Sequence, residues 1–160
     1  MDEQINSSVF EELAQERKMF EYATTGQRFA NYIIDTLVFY AFNYLVFFIT
    51  GICMALSGMD ADEIRATFDN KLILYGIVLL NMLVIYTLIE GAAKGGSLGK
   101  LITGTKAVKE DLSRITWKDA FIRTLCRMIP FEPLSALGGY PWHDQLSHTH
   151  VIKKNQAIFE

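Results

Sequence analysis

The chain has 160 residues, of which 51% are hydrophobic, and its formal net charge is −3. The apolar residues are concentrated in two long blocks and lack the spread of a soluble fold, which indicates one small polytopic membrane domain. Cys53 and Cys126 would be separated by the membrane, so a disulfide framework is excluded. We expect no nucleic acid among the partners.

Residues 1–22 are acidic and polar, and they predict either a short amphipathic helix or a flexible segment. Ser8 and Glu11 have the spacing of a capping box. The first 27 residues lack a basic stretch followed by an apolar core, so we expect no cleavable signal peptide. The membrane domain is predicted over residues 23–154, followed by a tail at 155–160.

The first predicted span covers about residues 29–56, with Thr24 or Thr25 as the helix cap. Asp35 is its one charged residue. An ionised carboxylate within a span costs about 3 kcal/mol on insertion scales, which makes Asp35 a candidate functional group. Two interpretations stay open: Asp35 titrates or binds an ion, or it forms a static pair with a basic group.

Arg28, Asn31 and Asp35 share one stripe of this helix, because they are spaced by three and four residues. We expect the stripe to face protein or trapped water and the other sides to face lipid. In that arrangement Arg28 would tune the charge of Asp35, and Asn31 would hydrate it.

An acidic, solvated loop is predicted after the first span, around residues 57–63, and it lacks the pattern of a calcium loop. The second span covers about residues 71–90. Asn81 is expected to hydrogen-bond to the first helix. Glu90 ends the span near the depth at which Arg28 enters, so these two residues could pair.

Basic residues are distributed unevenly: ten of the 15 Lys and Arg residues follow Glu90. By the positive-inside rule, the segment after the second span is cytoplasmic. With two spans, both termini are then cytoplasmic. We expect a protein of the bacterial cytoplasmic (inner) membrane, in contact with the lipid bilayer and its anionic lipids.

Residues 91–100 contain several glycines beside Lys94 and Lys100, which invites comparison with a phosphate-binding loop. That pattern fails because it needs Gly at position 94, which is Lys, and Ser or Thr at position 101, which is Leu. The segment predicts a tight turn at the membrane surface, with Lys94 and Lys100 near anionic headgroups. Residues 103–109 and 114–117 then predict a cytoplasmic β-hairpin, and residues 148–154 predict a further strand that makes it a three-stranded sheet.

Residues 117–129 have helical spacing, with Arg123 and Arg127 projecting together. The apolar segment that continues to Leu137 contains two prolines, which favours an interfacial or re-entrant helix over a third span. The two arginines either hold lipid phosphate or supply the counter-charge of Asp35.

The three histidines lie near the C-terminal end of the chain, at positions 143, 148 and 150, without the spacing of a zinc site, so we predict no metal and no cofactor. His143 and Asp144 form either a proton relay or, for Asp144, a simple turn cap or ion pair. The sequence shows no pattern of a nucleophile with a general base, a metal cluster or a cofactor-binding loop, so we do not expect an enzyme.

The order of these motifs resembles the RDD family of small membrane proteins. The resemblance covers Gly26 to Asp35, Gly96 to Lys100, Gly104, Val108, Arg123, Trp142 to Asp144, Thr149 and Val151. The family is named for one arginine and two aspartates, which here would be Arg28, Asp35 and Asp144. The resemblance implies two or more spans and transport of an unknown ligand, with cation/proton exchange proposed for some members.

The leading hypothesis is therefore a mainly α-helical integral membrane protein that takes part in transport, as a homo-oligomer or with another membrane protein. Its site would contain Arg28, Asn31, Asp35 and Asp144, supported by the residues Glu90, Lys100, Arg123, Arg127 and His143. The alternative is a non-transporting membrane adaptor or assembly factor, in which the same Arg/Asp network is static.

Overall fold

The computed structural model describes residues 21–135, 138 and 140–154, and in this part the chain is mainly helical. The predicted segment before residue 21, with its Ser8 to Glu11 capping box, and the tail at 155–160 lie outside the described residues.

Helix α1 (Thr25–Leu56) is the first predicted span. Thr24 caps it: its hydroxyl oxygen accepts a hydrogen bond from the Gln27 N–H at 3.2 Å, and the Gln27 side chain accepts one from the Thr24 N–H at 3.0 Å. This capping box explains why the helix begins before residue 29.

The loop predicted over residues 57–63 is present at 57–60, but helix α2 (Ala61–Asp69) begins within it. The prediction is wrong for residues 61–63 because Asp60 and Glu63 form a reciprocal capping box that starts a short amphipathic helix. Helix α3 (Lys71–Ala92) is the second predicted span.

Both α1 and α3 are long and apolar enough to cross a membrane. They are linked by a hydrogen bond of 3.0 Å from Asn81 Nδ2 to Asn43 Oδ1. Asn81 lies near the middle of α3, so this bond marks the middle of the helix pair. The predicted contact of Asn81 with the first helix is confirmed.

The glycine-rich turn after α3 leads into a short helix, α4 (Leu98–Thr103), capped by Ser97. Gly99 lies against α1 so closely that a Cβ atom would be 2.5 Å from the backbone oxygen of Asn31. Gly95 is also in a close contact: a Cβ atom there would be 2.1 Å from the carbonyl oxygen of Ala107. In addition, its φ of +99° favours glycine. These two glycines allow the turn to pack against α1 and against the following strand.

Strand β1 (Thr105–Lys109) pairs with β2 (Thr149–Lys153) in an antiparallel register that places Ala107 opposite Val151. The predicted last strand is therefore present, but the predicted hairpin with residues 114–117 is wrong. In the described residues, that segment contributes one isolated bridge between Val108 and Arg114. Thr116 instead caps the next helix and draws the chain away from the sheet.

Helix α5 (Trp117–Arg127) packs along the C-terminal end of α3, and it is followed by the short helices α6 (Glu132–Ser135) and α7 (Trp142–Leu146). With 11 residues, α5 is shorter than the roughly 20 residues that a full span needs. The apolar residues Ala107, Ile115, Ala120 and Val151 form a small core between the sheet and α5.

Candidate ion and ligand site

Asp144, at the start of α7, joins two arginines from distant parts of the chain. Its Oδ2 accepts a hydrogen bond from Arg28 Nη1, and its Oδ1 accepts one from Arg123 Nη1 at 2.6 Å. The Asp144 side chain is fully buried, and that of Arg28 is 8% exposed. The carboxylate therefore fixes the first turns of α1 to α5 and α7.

Glu90, near the end of α3, is the second centre of the same network. It accepts hydrogen bonds from Lys100 Nζ, from Arg123 Nε at 3.0 Å and from Arg127 Nη1 at 2.8 Å. The expected pair of Glu90 with Arg28 is wrong, because Arg28 is drawn to Asp144 and three other cations surround Glu90.

Lys100 was expected near anionic headgroups, and this is also wrong: it is 3% exposed and folds inward to Glu90. Arg123, with no exposed surface, bridges Glu90, Asp144 and Thr149. Its Nη2 is the buried side-chain nitrogen without a hydrogen-bond partner among the described residues. A buried network of this kind is stable only while both signs of charge are present.

Asp35 stands apart from these ion pairs. Its Oδ2 accepts a hydrogen bond from the Ser97 hydroxyl at 2.6 Å, and its Oδ1 accepts one from the Gly99 N–H at 2.7 Å. Among the described residues, no Lys, Arg or His nitrogen lies within 4 Å of this carboxylate. Neither predicted arginine forms a direct ion pair with Asp35, because both are held by Glu90. Burial would lower the pKa of Arg127, but Glu90 and also the charge of Asp35 raise it, so the expected counter-charge is present at longer range.

Asn31 was expected to hydrate Asp35, but its amide points to the β-sheet. Its Nδ2 donates to Thr105 Oγ1 at 2.9 Å, and its Oδ1 accepts from the Thr103 hydroxyl. Asn31 therefore fastens α1 to the link between α4 and β1. The sequence stripe of Arg28, Asn31 and Asp35 does face protein, as predicted, but each member has a separate set of partners.

A cavity of about 200 Å³ adjoins the three stripe residues. Its wall includes the carboxylates of Asp35 and Asp144 and the rings of Phe39 and Tyr86. The two rings lie 5.5 Å apart between centroids. The cavity thus brings Asp35 to an aromatic wall, at the edge of the ion-pair network.

The family comparison agrees with this arrangement: the model of the RDD family matches residues 22–152. This chain belongs to the RDD family. No curated protein and no solved structure matches it. Family membership and the two apolar helices together indicate a membrane protein.

The RDD network includes residues that sequence reasoning missed. The carboxylate of Glu132 contacts Nδ1 of His143, and Nε2 of His143 lies 3.4 Å from Asp144 Oδ1. Whether His143 and Asp144 form a proton relay stays a prediction. Glu132 follows an irregular segment and stands next to a proline, so no helical or strand periodicity in the sequence predicted that its side chain is part of the network. Thr149 was noted for the resemblance alone, and its hydroxyl accepts from Arg123.

Burial and neighbouring charges shift the pKa values of several groups outside the two long helices. Burial lowers the pKa of Lys100 to about 8, although Glu90 opposes that shift. Burial alone would raise the pKa of Asp144, but Arg123, His143 and Arg28 outweigh it and hold the pKa well below its ordinary value. Burial lowers the pKa of His143. Asp144 is therefore ionised near neutral pH, and His143 favours its neutral form.

Among the described residues there is no group of three or more His, Cys, Asp or Glu side chains placed to hold a metal ion. The chemistry that the site offers is a carboxylate, Asp35, which lines a cavity with aromatic residues in its wall and forms no direct ion pair within the described residues.

Proposed function

We propose that this RDD protein acts in transport in the bacterial inner membrane, with both termini cytoplasmic, and that Asp35 binds the transported cation or proton. The observation that carries the proposal is that Asp35 forms no direct ion pair within the described residues. Asp144 and Glu132 also line the cavity, but Asp144 pairs with Arg28 and Arg123 and Glu132 contacts the His143 ring, whereas Asp35 has hydroxyl and amide donors instead. An acidic group without a counter-charge in a span is a typical ion or proton site.

The remaining site residues would hold Asp35 in place. Asn31 ties α1 to the sheet, and Arg28 ties it to α7 through Asp144. Arg123, Arg127 and Lys100 with Glu90 fix α5 and α4 to α3. His143 beside Asp144 would be the group through which protons reach the cavity from the cytoplasm. We assign the protein no enzymatic activity.

Transport would require an assembly. Two spans are too few to enclose a pathway, so several copies of the chain, or another membrane protein, would complete it. Many large apolar side chains on α1 and α3 are exposed, including Tyr44 at 79% and Leu72 at 84%. These faces would contact lipid or neighbouring subunits.

A second candidate function is that of a membrane adaptor or assembly factor. Its support is the extent of the ion-pair network, in which Glu90 and Asp144 together hold Arg28, Lys100, Arg123 and Arg127. On this view the network is static, and it fixes the sheet and α5 against the two spans so that they present a constant surface to a partner protein.

Flux measurements on Asp35→Asn test the proposal. Asparagine has nearly the same shape as aspartate, and it can still accept from the Gly99 N–H and donate to the Ser97 hydroxyl oxygen. We expect liposomes with the wild type to exchange protons for Na⁺ or K⁺, and liposomes with Asp35→Asn to lose that flux while the melting temperature changes little.

Asp62→Asn is the matched control, because Asp62 is an exposed carboxylate on α2. It should leave the flux unchanged. If the well-folded wild type carries no flux, and Asp35→Asn unfolds at a much lower temperature, stand-alone ion transport is wrong and the adaptor is favoured.

A further inference from the structure

Helix α5 has an inverted distribution of polarity. Its buried face contains Arg123 and Thr124, whereas its exposed face contains Trp117, Phe121 and Leu125 at 54%, 42% and 43% exposure. A helix on the surface of a water-soluble protein places its apolar stripe inward and its charges outward. The outward face of α5 is therefore suited to lipid, with the arginines hidden against α3.

Contacts with α3 show how far α5 returns along that helix. A Cβ atom on Gly91 would lie 2.2 Å from the Trp117 ring, whereas Arg127, at the other end of α5, lies 5.3 Å from the ring centroid of Tyr86. Between these two contacts, the hydroxyls of Thr124 and Thr87 are 3.3 Å apart. The two helices are thus antiparallel, and α5 climbs about 8 Å back along α3, from Gly91 to Tyr86, at 1.5 Å per residue.

Part of the cavity wall on α1 lies at a similar depth. Tyr32, Thr36 and Tyr40 are spaced by four residues and line the cavity, and both tyrosines are exposed, at 42% and 65%. Relative to Asn43, which pairs at the middle of α3, Tyr40 lies about 5 Å and Tyr32 about 17 Å toward the N-terminal end of α1. Half of a hydrocarbon core is about 15 Å thick, so with the proposed orientation a mouth between these exposed tyrosines would open sideways into the inner leaflet.

The cavity wall contains three acidic and three basic residues besides His143, but the basic side chains pair with carboxylates other than Asp35. Arg28 is paired with Asp144, and Lys100 and Arg127 are paired with Glu90. The Asp35 carboxylate has no such partner and can accept further hydrogen bonds.

The aromatic part of the wall distinguishes between kinds of cation. Phe39 offers a ring, which attracts organic cations, and Tyr86 already has the Arg127 guanidinium 5.3 Å from its ring centroid. A bare metal cation would instead need several oxygen ligands, about six for the divalent ions Ca²⁺ and Mg²⁺.

We infer that the cavity takes up an amphiphile with an ammonium head group directly from the inner leaflet. The head group donates hydrogen bonds to Asp35, and the alkyl tail leaves between Tyr32 and Tyr40 into the lipid. This inference rests on the proposed role of Asp35 as the cation site, and it specifies the class of ligand and its route of entry.

Protection of a cysteine at the mouth tests the inference. Thr36→Cys is introduced into a background with Cys53→Ser and Cys126→Ser, and the full chain is reconstituted in liposomes. The rate of labelling by a membrane-permeant maleimide is measured in the presence of dodecylammonium, dodecyl sulfate or methylammonium. All three are used at one concentration, which is too low to disrupt the vesicles. Tyr40→Cys is a second labelling position if Thr36→Cys lowers the melting temperature.

We expect dodecylammonium alone to slow labelling, by about tenfold, which corresponds to about 1.4 kcal/mol of binding free energy. The added substitution Asp35→Asn should abolish the protection. Equal protection by dodecyl sulfate would overturn the inference, because the tail alone would then suffice.

Equal protection by methylammonium would overturn entry from the lipid but keep Asp35 as a cation site. Absence of protection by either amine, in a protein that still carries proton-coupled flux, would overturn this inference alone. Absence of both protection and flux would overturn the proposed function as well.

Discussion

Arg28 and Asp144 lie 116 residues apart in the chain and form a buried ion pair. Loss of one partner leaves the other charge buried and unpaired, which costs about 3–5 kcal/mol. We therefore expect Arg28→Met to lower the melting temperature strongly in detergent. Arg28→Met combined with Asp144→Asn should cost less than the sum of the two single substitutions. Arg65→Met, at an exposed arginine of α2, is the control. Equal decreases in melting temperature for Arg65→Met and Arg28→Met would show that the Arg28–Asp144 pair does not stabilise the fold.

Lys100 should give the stability of the protein a distinct pH dependence. Its pKa is about 8 in the folded chain, below its ordinary value of 10.5. Between these values the unfolded chain binds more protons, so this group raises stability as the pH increases from about 8 to 10.5, by at most about 1.4 kcal/mol per pH unit. This gain is lost as the pH falls from 10.5 to about 8, and below about 8 the group adds no further pH dependence.

Thermal melting of the wild type and of Lys100→Met over this pH range measures the Lys100 contribution. The difference between the two curves should change with pH in the window between the two pKa values. Parallel curves would show that the pKa of Lys100 is the same in the folded and unfolded chains.

Gly99 should tolerate no side chain. An added Cβ would lie 2.5 Å from the Asn31 backbone oxygen and 2.9 Å from its Cα, so Gly99→Ala forces α4 away from α1 and costs about 1–3 kcal/mol. Gly76→Ala is the matched control, because nothing lies within 4 Å of a Cβ there. We expect Gly76→Ala to be neutral or slightly stabilising, since alanine is the better helix former. Similar melting temperatures for the two variants would contradict the close contact.

The hydrogen bond between Asn43 and Asn81 should couple the two spans energetically. Comparable bonds within membranes contribute about 0.6 kcal/mol on average and about 1.7 kcal/mol at most. A double-mutant cycle with Asn43→Ala, Asn81→Ala and the combined variant should therefore give a coupling energy in this range. Strictly additive losses would mean that each asparagine acts through other contacts, such as the bond from Asn43 Nδ2 to the Phe39 carbonyl oxygen.

The sequence predicts local features of this fold well. Hydropathy predicts both long helices, and residue spacing predicts the Thr24 cap, because these features depend on residues a few positions apart. The contact of Asn81 with the first helix is predictable because a polar side chain in an apolar span has few other hydrogen-bond partners. Charge type and position also select most members of the buried network. The acids and bases near the start of α1 and the end of α3 had to be paired if they were buried.

Which acid pairs with which base could not be predicted from the sequence. Glu90 had several possible partners at similar depth, and the choice of Lys100, Arg123 and Arg127 depends on how α4 and α5 fold back against α3. The strand that pairs with β1 was predicted wrongly for a similar reason. Residues 114–117 made a plausible hairpin partner, but Thr116 caps α5 instead, and β2, some 40 residues later, pairs with β1.

The long separation between Arg28 and Asp144 has a consequence for biosynthesis. At about 5–20 residues per second, the 116 residues between them take roughly 6–23 s to translate. During that time both long helices are complete while Arg28 still lacks Asp144 and Glu90 still lacks Arg123. The helix pair is therefore synthesised as an incomplete structure, and the late arrival of Arg123 and Asp144 completes its buried ion-pair network.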